Sequence, residues 1–377
     1  MSTRSDTPAV ILALSAARGF CVTAHGFASL NSHREGPSRK VLSATKTEGP
    51  AAVTGTEAIC CGAAHVLDTA VVAFLAGAAR DGIGPMAATD IAEARAALVR
   101  LQSVPVDAPD VDIEDIDLPA GPTGRVGIRI LRPPVANGRP LPCVLYVHGG
   151  GWIMGGRQTH DRLMRELAAG SGAAVVCVDY ALAPEATFPV QIEQAYGVLR
   201  HLAAHAADHR LDPSRIAVAG DCAGGTIAAA VTMLAKQRRG PEIAFQLLFY
   251  PILAELTQTV GSPMPWLSRT TVCRYIDAAF PDLASRRQPT AFPLLATTEA
   301  LNDLPPALVI VAEADPLCGQ GEAYARRLVK AGVRATATRH LGTIHDFVAL
   351  NALAETPATR SAIAEATAAL NQALYGR

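Results

Sequence analysis

The sequence predicts an α/β domain built on an open, mostly parallel β-sheet with helices on both faces. Short, continuous apolar runs rich in β-branched residues alternate with amphipathic helical stretches along the chain. Such runs are typical of parallel strands that are buried on both faces. Their alternation with helices favours a parallel sheet covered on both sides. Half of the 377 residues are hydrophobic, which is enough for a large packed core.

The predicted elements begin near residue 67. Two helical patterns come first, "LDTAVVAFLAGAARDG" and "AATDIAEARAALVRLQ", and the second has an N-cap signal at Asp90 with Glu93 three residues later. Strands are then predicted at "VDIEDIDL", "RVGIRILRP", "PCVLYVHGGG", "AAVVCVDY", "RIAVAGD", "AFQLLFYP", "PALVIVAEAD" and "RATATRHL". Residues 252 to 296 interrupt the alternation. An insertion at that point would lie over the strand ends.

Residues 1–65 differ in character from the rest, and we expect a poorly ordered extension there, followed by one domain over residues 66–377. The stretch "NSHREGPSRKVLSATKTEGP" is polar, aperiodic and rich in Gly, Pro and Ser. A leader, a tail and an extension from an early start codon are all compatible with it. The run "AVILALSAA" has the length of a signal-peptide core, but it lacks a strongly basic preceding segment and Arg18 follows it, which argues against secretion.

Composition excludes several function classes. The formal net charge is −1 and no basic block occurs, so no nucleic-acid partner is predicted. No apolar run reaches the length of a membrane span. The eight cysteines are scattered without a CxxC pair, which predicts neither a metal site nor a disulfide framework and favours a reducing, cytoplasmic location. Cys143 and Cys177 lie in strand-like runs and are expected to be buried thiols.

The glycine-rich loop "HGGGW", at residues 148–152, directly follows the predicted strand "CVLYV". Consecutive glycines let backbone N–H groups approach a reacting carbonyl, because no Cβ is in the way. Such donors can stabilise the negative oxygen of a tetrahedral intermediate. The alternative interpretation is a flexible glycine turn without a chemical role.

A second motif, "GDCAGG", at residues 220–225, joins a predicted strand to a predicted helix. Its G-x-C-x-G occupies the place of the G-x-S-x-G nucleophile elbow, with Cys222 where serine is usual. The helix N-terminus and a neighbouring imidazolium are predicted to lower the pKa of Cys222. An exposed thiol of low pKa would be sensitive to peroxide. The alternative is a buried structural thiol.

Two further residues complete a catalytic pattern. Asp315 in "EADPL" follows the predicted strand "PALVIVA", where a carboxylate can orient a histidine. His345 in "GTIHDF" lies thirty residues later and is the predicted general base. A turn-forming Asp-Pro and a surface-loop histidine are the bland alternatives, and His340 is a second candidate base within the strand pattern. The chain order nucleophile, acid, histidine is that of α/β-hydrolases.

These motifs resemble the hormone-sensitive-lipase-like esterases of the α/β-hydrolase fold. "HGGGW", "DYALAPEATFP", "GDCAGG", "EADPL" and "GTIHDF" match that family's signature blocks in order, from about residue 67 to the C-terminus. Residue by residue, the resemblance implies a nucleophile, an acid, a base and three oxyanion-hole N–H groups, at Cys222, Asp315, His345, Gly149, Gly150 and Ala223 respectively.

The resemblance also implies the substrate class and a helical cap. Family members mostly cleave small-molecule carboxylic esters with short to medium acyl chains, need no cofactor and are often homodimers. The implied cap comprises residues 67–105 and 252–296. Trp152 and Asp221 are the candidate substrate-binding residues. Trp266 and Phe280 are further candidate wall residues, with plain core packing as the alternative.

Two departures from the family pattern leave three interpretations open. The family's serine is Cys222, and "DPLCGQGEAY" lacks the charged Arg-Asp-Glu that commonly follows "DPL". The chain is therefore a thiol hydrolase of esters, lactones or thioesters, a serine esterase weakened to an acyl trap, or a binding protein. The retained Asp315, His345 and glycines argue against the last. A nucleotide-binding protein is disfavoured, because GxGxxG and a Walker lysine are missing.

Overall fold

The computed structural model describes residues 65–80, 90–134, 139–256 and 264–376. The predicted extension lies outside these residues through residue 64. The strands are β1 (Asp112–Leu118), β2 (Val126–Arg132), β3 (Leu141–Val147), β4 (Ala174–Asp179), β5 (Leu211–Asp221), β6 (Phe245–Phe249), β7 (Ala307–Ala314) and β8 (Ala335–Ile344). They form one eight-stranded sheet in the order β1-β2-β4-β3-β5-β6-β7-β8.

Helices pack on this sheet and continue beyond it. They are α1 (Thr69–Arg80), α2 (Ile91–Gln102), α3 (Asp161–Ser171), α4 (Val190–Ala204), α5 (Ala223–Gln237), α6 (Arg269–Ala279), α7 (Thr298–Leu301), α8 (Cys318–Lys330) and α9 (Pro357–Tyr375). In the part of the chain that the structure describes, none of the helices is both long and apolar enough to cross a membrane.

The sheet confirms the predicted fold class. Strands β4, β3, β5, β6, β7 and β8 pair in parallel, whereas β2 pairs antiparallel with both β1 and β4. Every residue of β3 is buried, as expected for a strand covered on both faces. The edge strand β1 is mostly exposed and acidic, and charge on an exposed edge disfavours pairing with another chain.

Local sequence signals explain how several elements begin. The side chain of Asp90 accepts a hydrogen bond from the Glu93 N–H at 3.2 Å, so the predicted N-cap of α2 is confirmed. Helix α9 begins with Thr356 as its N-cap and a proline in its first turn. Its alanine-rich sequence has no clear spacing of apolar residues that would predict a helix. Packing against α3 stabilises the helix in the folded chain.

The turn between β5 and α5 holds the backbone of Cys222 in a conformation that few residues other than glycine adopt. Its φ is +51° and its ψ is −119°, which is uncommon for a residue with a Cβ. The flanking glycines explain how the turn closes. A Cβ added at Gly224 would lie 2.0 Å from the Val147 carbonyl oxygen, and one at Gly220 would lie 2.4 Å from the Gly224 oxygen. The turn therefore requires glycine at both positions.

We expect Gly224→Ala to lower the free energy of unfolding by at least about 1–3 kcal/mol, because the added methyl group overlaps backbone atoms that cannot move aside. Urea unfolding measures the change. The matched control is Gly319→Ala in α8, where an added Cβ meets no atom within 4 Å. That substitution is expected to leave stability unchanged or to raise it by about 0.5–1 kcal/mol. Equal losses in the two variants would contradict the steric explanation.

Candidate active site

The structure brings the three predicted catalytic residues together at one edge of the sheet. Cys222 follows β5, Asp315 follows β7 and His345 follows β8. All three residues therefore lie at the carboxyl ends of parallel strands. His345 Nδ1 lies 2.7 Å from Asp315 Oδ2. Cys222 Sγ lies within 4.8 Å of an imidazole nitrogen of His345. This arrangement matches the predicted chain order of nucleophile, acid and histidine.

The surroundings of His345 favour its protonated form. Burial disfavours the charge, but the Asp315 and Asp346 carboxylates outweigh burial and raise the pKa of His345 well above its ordinary value. The Tyr250 ring packs against the imidazole of His345, with the two ring centroids 4.7 Å apart. The competing candidate His340 instead lies 3.6 Å from Glu365, and no hydrogen bond joins it to the other site residues in the described part of the chain.

Cys222 differs from the exposed thiol of low pKa that its position at a helix N-terminus predicts. Its surface is only 4% exposed. Burial raises the pKa of the Cys222 thiol, and the His345 imidazole offsets this only in part. The Asp346 and Asp221 carboxylates oppose a thiolate further. The prediction of a low pKa is therefore wrong, because desolvation of the buried thiol outweighs the neighbouring imidazole.

Gly149 does not offer the oxyanion-hole donor that the resemblance implies. Its N–H donates to Asp221 Oδ1 at 2.9 Å, which occupies the only hydrogen it has. The N–H groups of Gly150, Gly151 and Ala223, by contrast, donate to no acceptor among the described residues. Gly150 and Gly151 have φ values of +105° and +61°, a region that glycine adopts readily. The loop N–H groups that remain free are therefore those of Gly150 and Gly151, one residue further along the chain than the predicted Gly149 and Gly150.

Asp221 is buried and its carboxylate holds the glycine loop, so its predicted role in substrate binding is also corrected. Its side chain is 1% exposed. Besides the Gly149 N–H, Asp221 accepts a hydrogen bond from Tyr146 Oη at 2.5 Å and lies 3.4 Å from His160 Nε2. Burial alone would raise the pKa of Asp221, but His160 and Tyr146 outweigh burial and lower it.

Trp152 likewise lies in the core. The indole is 1% exposed and packs edge-to-face on Phe280, with ring centroids 5.0 Å apart. This packing leaves almost no indole surface for a substrate, which corrects the predicted contact. Phe280 is buried in the same cluster and is core as well. Trp266, in contrast, reaches the site, because its Nε1–H donates to Asp346 Oδ2 at 3.0 Å.

Asp346 and Tyr275 are site residues that no motif in the sequence predicts. Asp346 Oδ1 lies 3.3 Å from His345 Nε2. Its position directly after the predicted base was a signal that could have found it. Tyr275, in α6, packs its ring onto the glycine loop, since a Cβ added at Gly151 would lie 2.2 Å from the ring. Nothing in the sequence spacing relates α6 to that loop.

The segment after "DPL", where the chain departs from the family pattern, has a structural role. Gln320 Oε1 accepts hydrogen bonds from the N–H groups of Leu253 and Ala254, at 2.7 and 3.0 Å. The neighbouring Ile252 N–H donates to the Cys222 carbonyl oxygen at 3.3 Å. A neutral amide at position 320 therefore fixes the loop that supports the elbow.

Comparison with known proteins relates the chain to ester hydrolases of the same fold. A family model described as alpha/beta hydrolase fold matches residues 144–349. Carboxylesterase NlhH of Mycobacterium tuberculosis is 38% identical over 294 residues, which cover 77% of this chain and 91% of the relative. Ethyl acetate hydrolase of Pseudomonas putida is 32% identical over 290 residues, 74% of this chain and 90% of the relative.

A solved structure shows the same fold along most of the chain. The crystal structure of a thermostable esterase from Pseudomonas putida ECU1011 superposes with a TM-score of 0.78 at 36% identity, covering 83% of this chain and 99% of that one. The chain therefore belongs to the alpha/beta hydrolase fold family. Within it, the esterase relatives and solved structures define this protein as a carboxylic ester hydrolase.

Proposed function

We propose that the chain acts as a hormone-sensitive-lipase-like esterase and hydrolyses carboxylic esters of short to medium acyl chain through a covalent acyl-enzyme on Cys222. One observation carries the proposal: the Cys222 sulfur lies beside an imidazole whose other nitrogen is held by Asp315. Free N–H groups of Gly150, Gly151 and Ala223 lie on the adjoining loop and helix end, where an oxyanion would form.

The proposed reaction has two halves. Cys222 Sγ attacks the ester carbonyl while His345, in the neutral form that its raised pKa makes the minor one, accepts the thiol proton at Nε2. The tetrahedral oxyanion collapses, the alcohol leaves with the proton from His345, and a thioester remains on Cys222. Water then attacks the thioester, again with His345 as base, and releases the carboxylic acid and the free thiol. Asp315 orients the imidazole and stabilises its charged form throughout.

We assign the cap to the described parts of residues 67–105 and 252–296, because side chains of these segments pack on each other and beside the site residues. Phe74 of α1 packs against Trp266 with ring centroids 5.0 Å apart. Tyr275 of α6 covers Gly151. Together with the low exposure of Cys222, these contacts indicate that a substrate enters only after α6 moves.

Tyr275→Ala is expected to speed alkylation of Cys222 by iodoacetamide at least tenfold, because removing the ring uncovers the sulfur. Peptide mapping after timed labelling gives the rate at each cysteine. The fully buried strand thiols Cys143 and Cys177 are the internal controls and should stay protected. Faster labelling of all three would indicate general loosening, and an unchanged rate at Cys222 would show that Tyr275 is not the barrier.

Intact-protein mass spectrometry tests the acyl-enzyme directly. During incubation with p-nitrophenyl acetate we expect one acetyl group on the chain, located at Cys222 by peptide mapping. Cys273→Ser, which removes a half-buried thiol of α6, is the control and should acetylate like the unchanged chain. Neither an adduct nor turnover, with Cys222 shown to be reduced, would falsify the proposal.

A second function is favoured by one observation, the raised pKa of the buried Cys222 thiol. A weakly ionised thiol in a site shaped for serine would acylate and deacylate slowly, and the chain would then act as an acyl trap. Persistence of the adduct after the ester is removed distinguishes the trap from an enzyme. Lactones and thioesters would react by the same chemistry.

A homodimer, which the family resemblance implies, and a cytoplasmic location, which the scattered cysteines favour, stay predictions.

A further inference from the structure

Three side chains with metal-binding atoms converge where the elbow meets the loop after β8. Cys222, His345 and Asp346 each offer one donor atom, and these atoms all lie within 4.8 Å of one another. His345 Nε2 is buried and has no hydrogen-bond partner among the described residues. A buried polar nitrogen without a partner is uncommon, and the neutral imidazole presents there the lone pair that accepts the thiol proton in the proposed reaction or binds a cation. Asp346 Oδ1 lies 3.3 Å from this nitrogen.

Two of these three side chains are already oriented by hydrogen bonds from outside the cluster. Asp315 holds His345 Nδ1, which leaves Nε2 directed toward the cluster. Trp266 Nε1–H donates to Asp346 Oδ2, which leaves Oδ1 on the side of His345. Metal-binding histidines and carboxylates in proteins are oriented in this way by an outer carboxylate or N–H donor. The cluster therefore has both the donor atoms of a metal site and the surrounding hydrogen bonds that orient two of them.

We propose that Cys222, His345 and Asp346 form a three-ligand site for a thiophilic divalent cation, with Zn²⁺ as the best match and a fourth coordination position open. Zinc accepts sulfur, imidazole nitrogen and carboxylate oxygen together. On binding, the thiol proton of Cys222 and the Nε2 proton of protonated His345 leave to solvent, and a sulfur–metal and a nitrogen–metal bond replace them, with no change of oxidation state. The thiolate and the carboxylate then balance the two positive charges of the ion.

The distances allow such a site after a small adjustment. Tetrahedral zinc with ordinary bond lengths separates its donor atoms by about 3.3–3.8 Å. The Nε2–Oδ1 pair already has this separation, at 3.3 Å. All three donor atoms lie within 4.8 Å of one another, so the pairs that include Cys222 Sγ would close by at most about 1 Å on binding. Cysteine spacing could not predict this site, because its ligands come from two distant segments.

The inference goes beyond the proposed esterase activity. A cation on Cys222 Sγ blocks the attack on an ester, so Zn²⁺ would inhibit acylation reversibly, and a chelator would restore it. Binding itself requires only the three donor atoms and no turnover. Metal binding and acylation can therefore be measured separately on the same full chain.

The test uses Co²⁺ as a spectroscopic probe and Zn²⁺ in calorimetry, on the full chain freed of metal by a chelator. We expect one ion per chain and a thiolate-to-cobalt charge-transfer band in the near ultraviolet. Cys222→Ser should abolish that band. Asp346→Asn should weaken Zn²⁺ binding at least tenfold, and Trp266→Phe should weaken it by about 10- to 100-fold, the usual effect of losing an outer partner.

Other thiols provide the controls. Cys273→Ser should leave the band and the affinity unchanged, and so should a variant with Cys21, Cys60 and Cys61 all changed to serine. Absence of the band, its survival in Cys222→Ser, or its loss in the triple variant would each overturn the site. Acetylation by p-nitrophenyl acetate in the presence of chelator is followed in parallel. Acetylation without metal binding removes the metal inference alone, and metal binding without acetylation removes the proposed function alone.

Discussion

Cys222→Ala is expected to abolish acyl-enzyme formation and to lower kcat/KM for p-nitrophenyl acetate by at least about 1,000-fold, because removing the nucleophile of a catalytic set removes most of its rate enhancement. Cys222→Ser is expected to act in the opposite direction and raise turnover by about 10- to 100-fold. Sulfur is larger than oxygen and shifts the acyl carbonyl relative to the Ala223 and Gly150 N–H groups, and a shift of about an ångström costs on the order of 100-fold.

The physical basis of the serine prediction is the burial of the thiol. Burial raises the pKa of Cys222, so the thiolate that would give sulfur its advantage over a hydroxyl is sparsely populated. Steady-state kinetics and mass spectrometry on the three proteins measure the effect, with Cys273→Ser as a matched thiol-to-hydroxyl control. If the unchanged chain turns over faster than Cys222→Ser, the site is fitted to sulfur. Activity of Cys222→Ala equal to that of the unchanged chain would exclude residue 222 as the nucleophile.

Asp315→Asn is expected to lower kcat by about 1,000- to 10,000-fold while the fold persists. The amide can donate to His345 Nδ1, which stabilises the tautomer with a proton on Nε2. That nitrogen then cannot accept the thiol proton, and the charged imidazole loses its main partner. Kinetics with p-nitrophenyl acetate, together with urea unfolding of the same samples, separate the chemical effect from a loss of stability.

The control for Asp315→Asn is a buried carboxylate outside the site. Glu166 is buried and pairs with Arg162 and Arg360, each at 2.5 Å. Glu166→Gln is expected to lose about 3–5 kcal/mol of stability, because it leaves a buried guanidinium without its partner. The folded fraction should keep its kcat. An Asp315→Asn enzyme within threefold of the unchanged chain would show that Asp315 does not orient His345.

Local patterns predicted most of the secondary structure and the chain order of the site. Buried parallel strands are short, apolar and β-branched, and all eight predicted strands are present. The pairing of β2 was not predictable in this way, because apolar periodicity does not distinguish a parallel neighbour from an antiparallel one. Helix α9 was also not predicted, because its alanine-rich sequence has no clear apolar face. Packing against α3 stabilises it as a helix.

The fold class, the elbow and the candidate set Cys222, Asp315 and His345 can be predicted from the sequence, because they depend on residue type, spacing and strand order. How each atom is used depends on contacts that form only on folding. The Gly149 N–H is taken by Asp221, a residue 72 positions away in the chain. The thiol is buried and lies close to the Asp346 carboxylate, so its pKa rises instead of falling. Desolvation and hydrogen-bond partners arise from distant segments that meet only in the folded chain, and spacing along the sequence does not contain them.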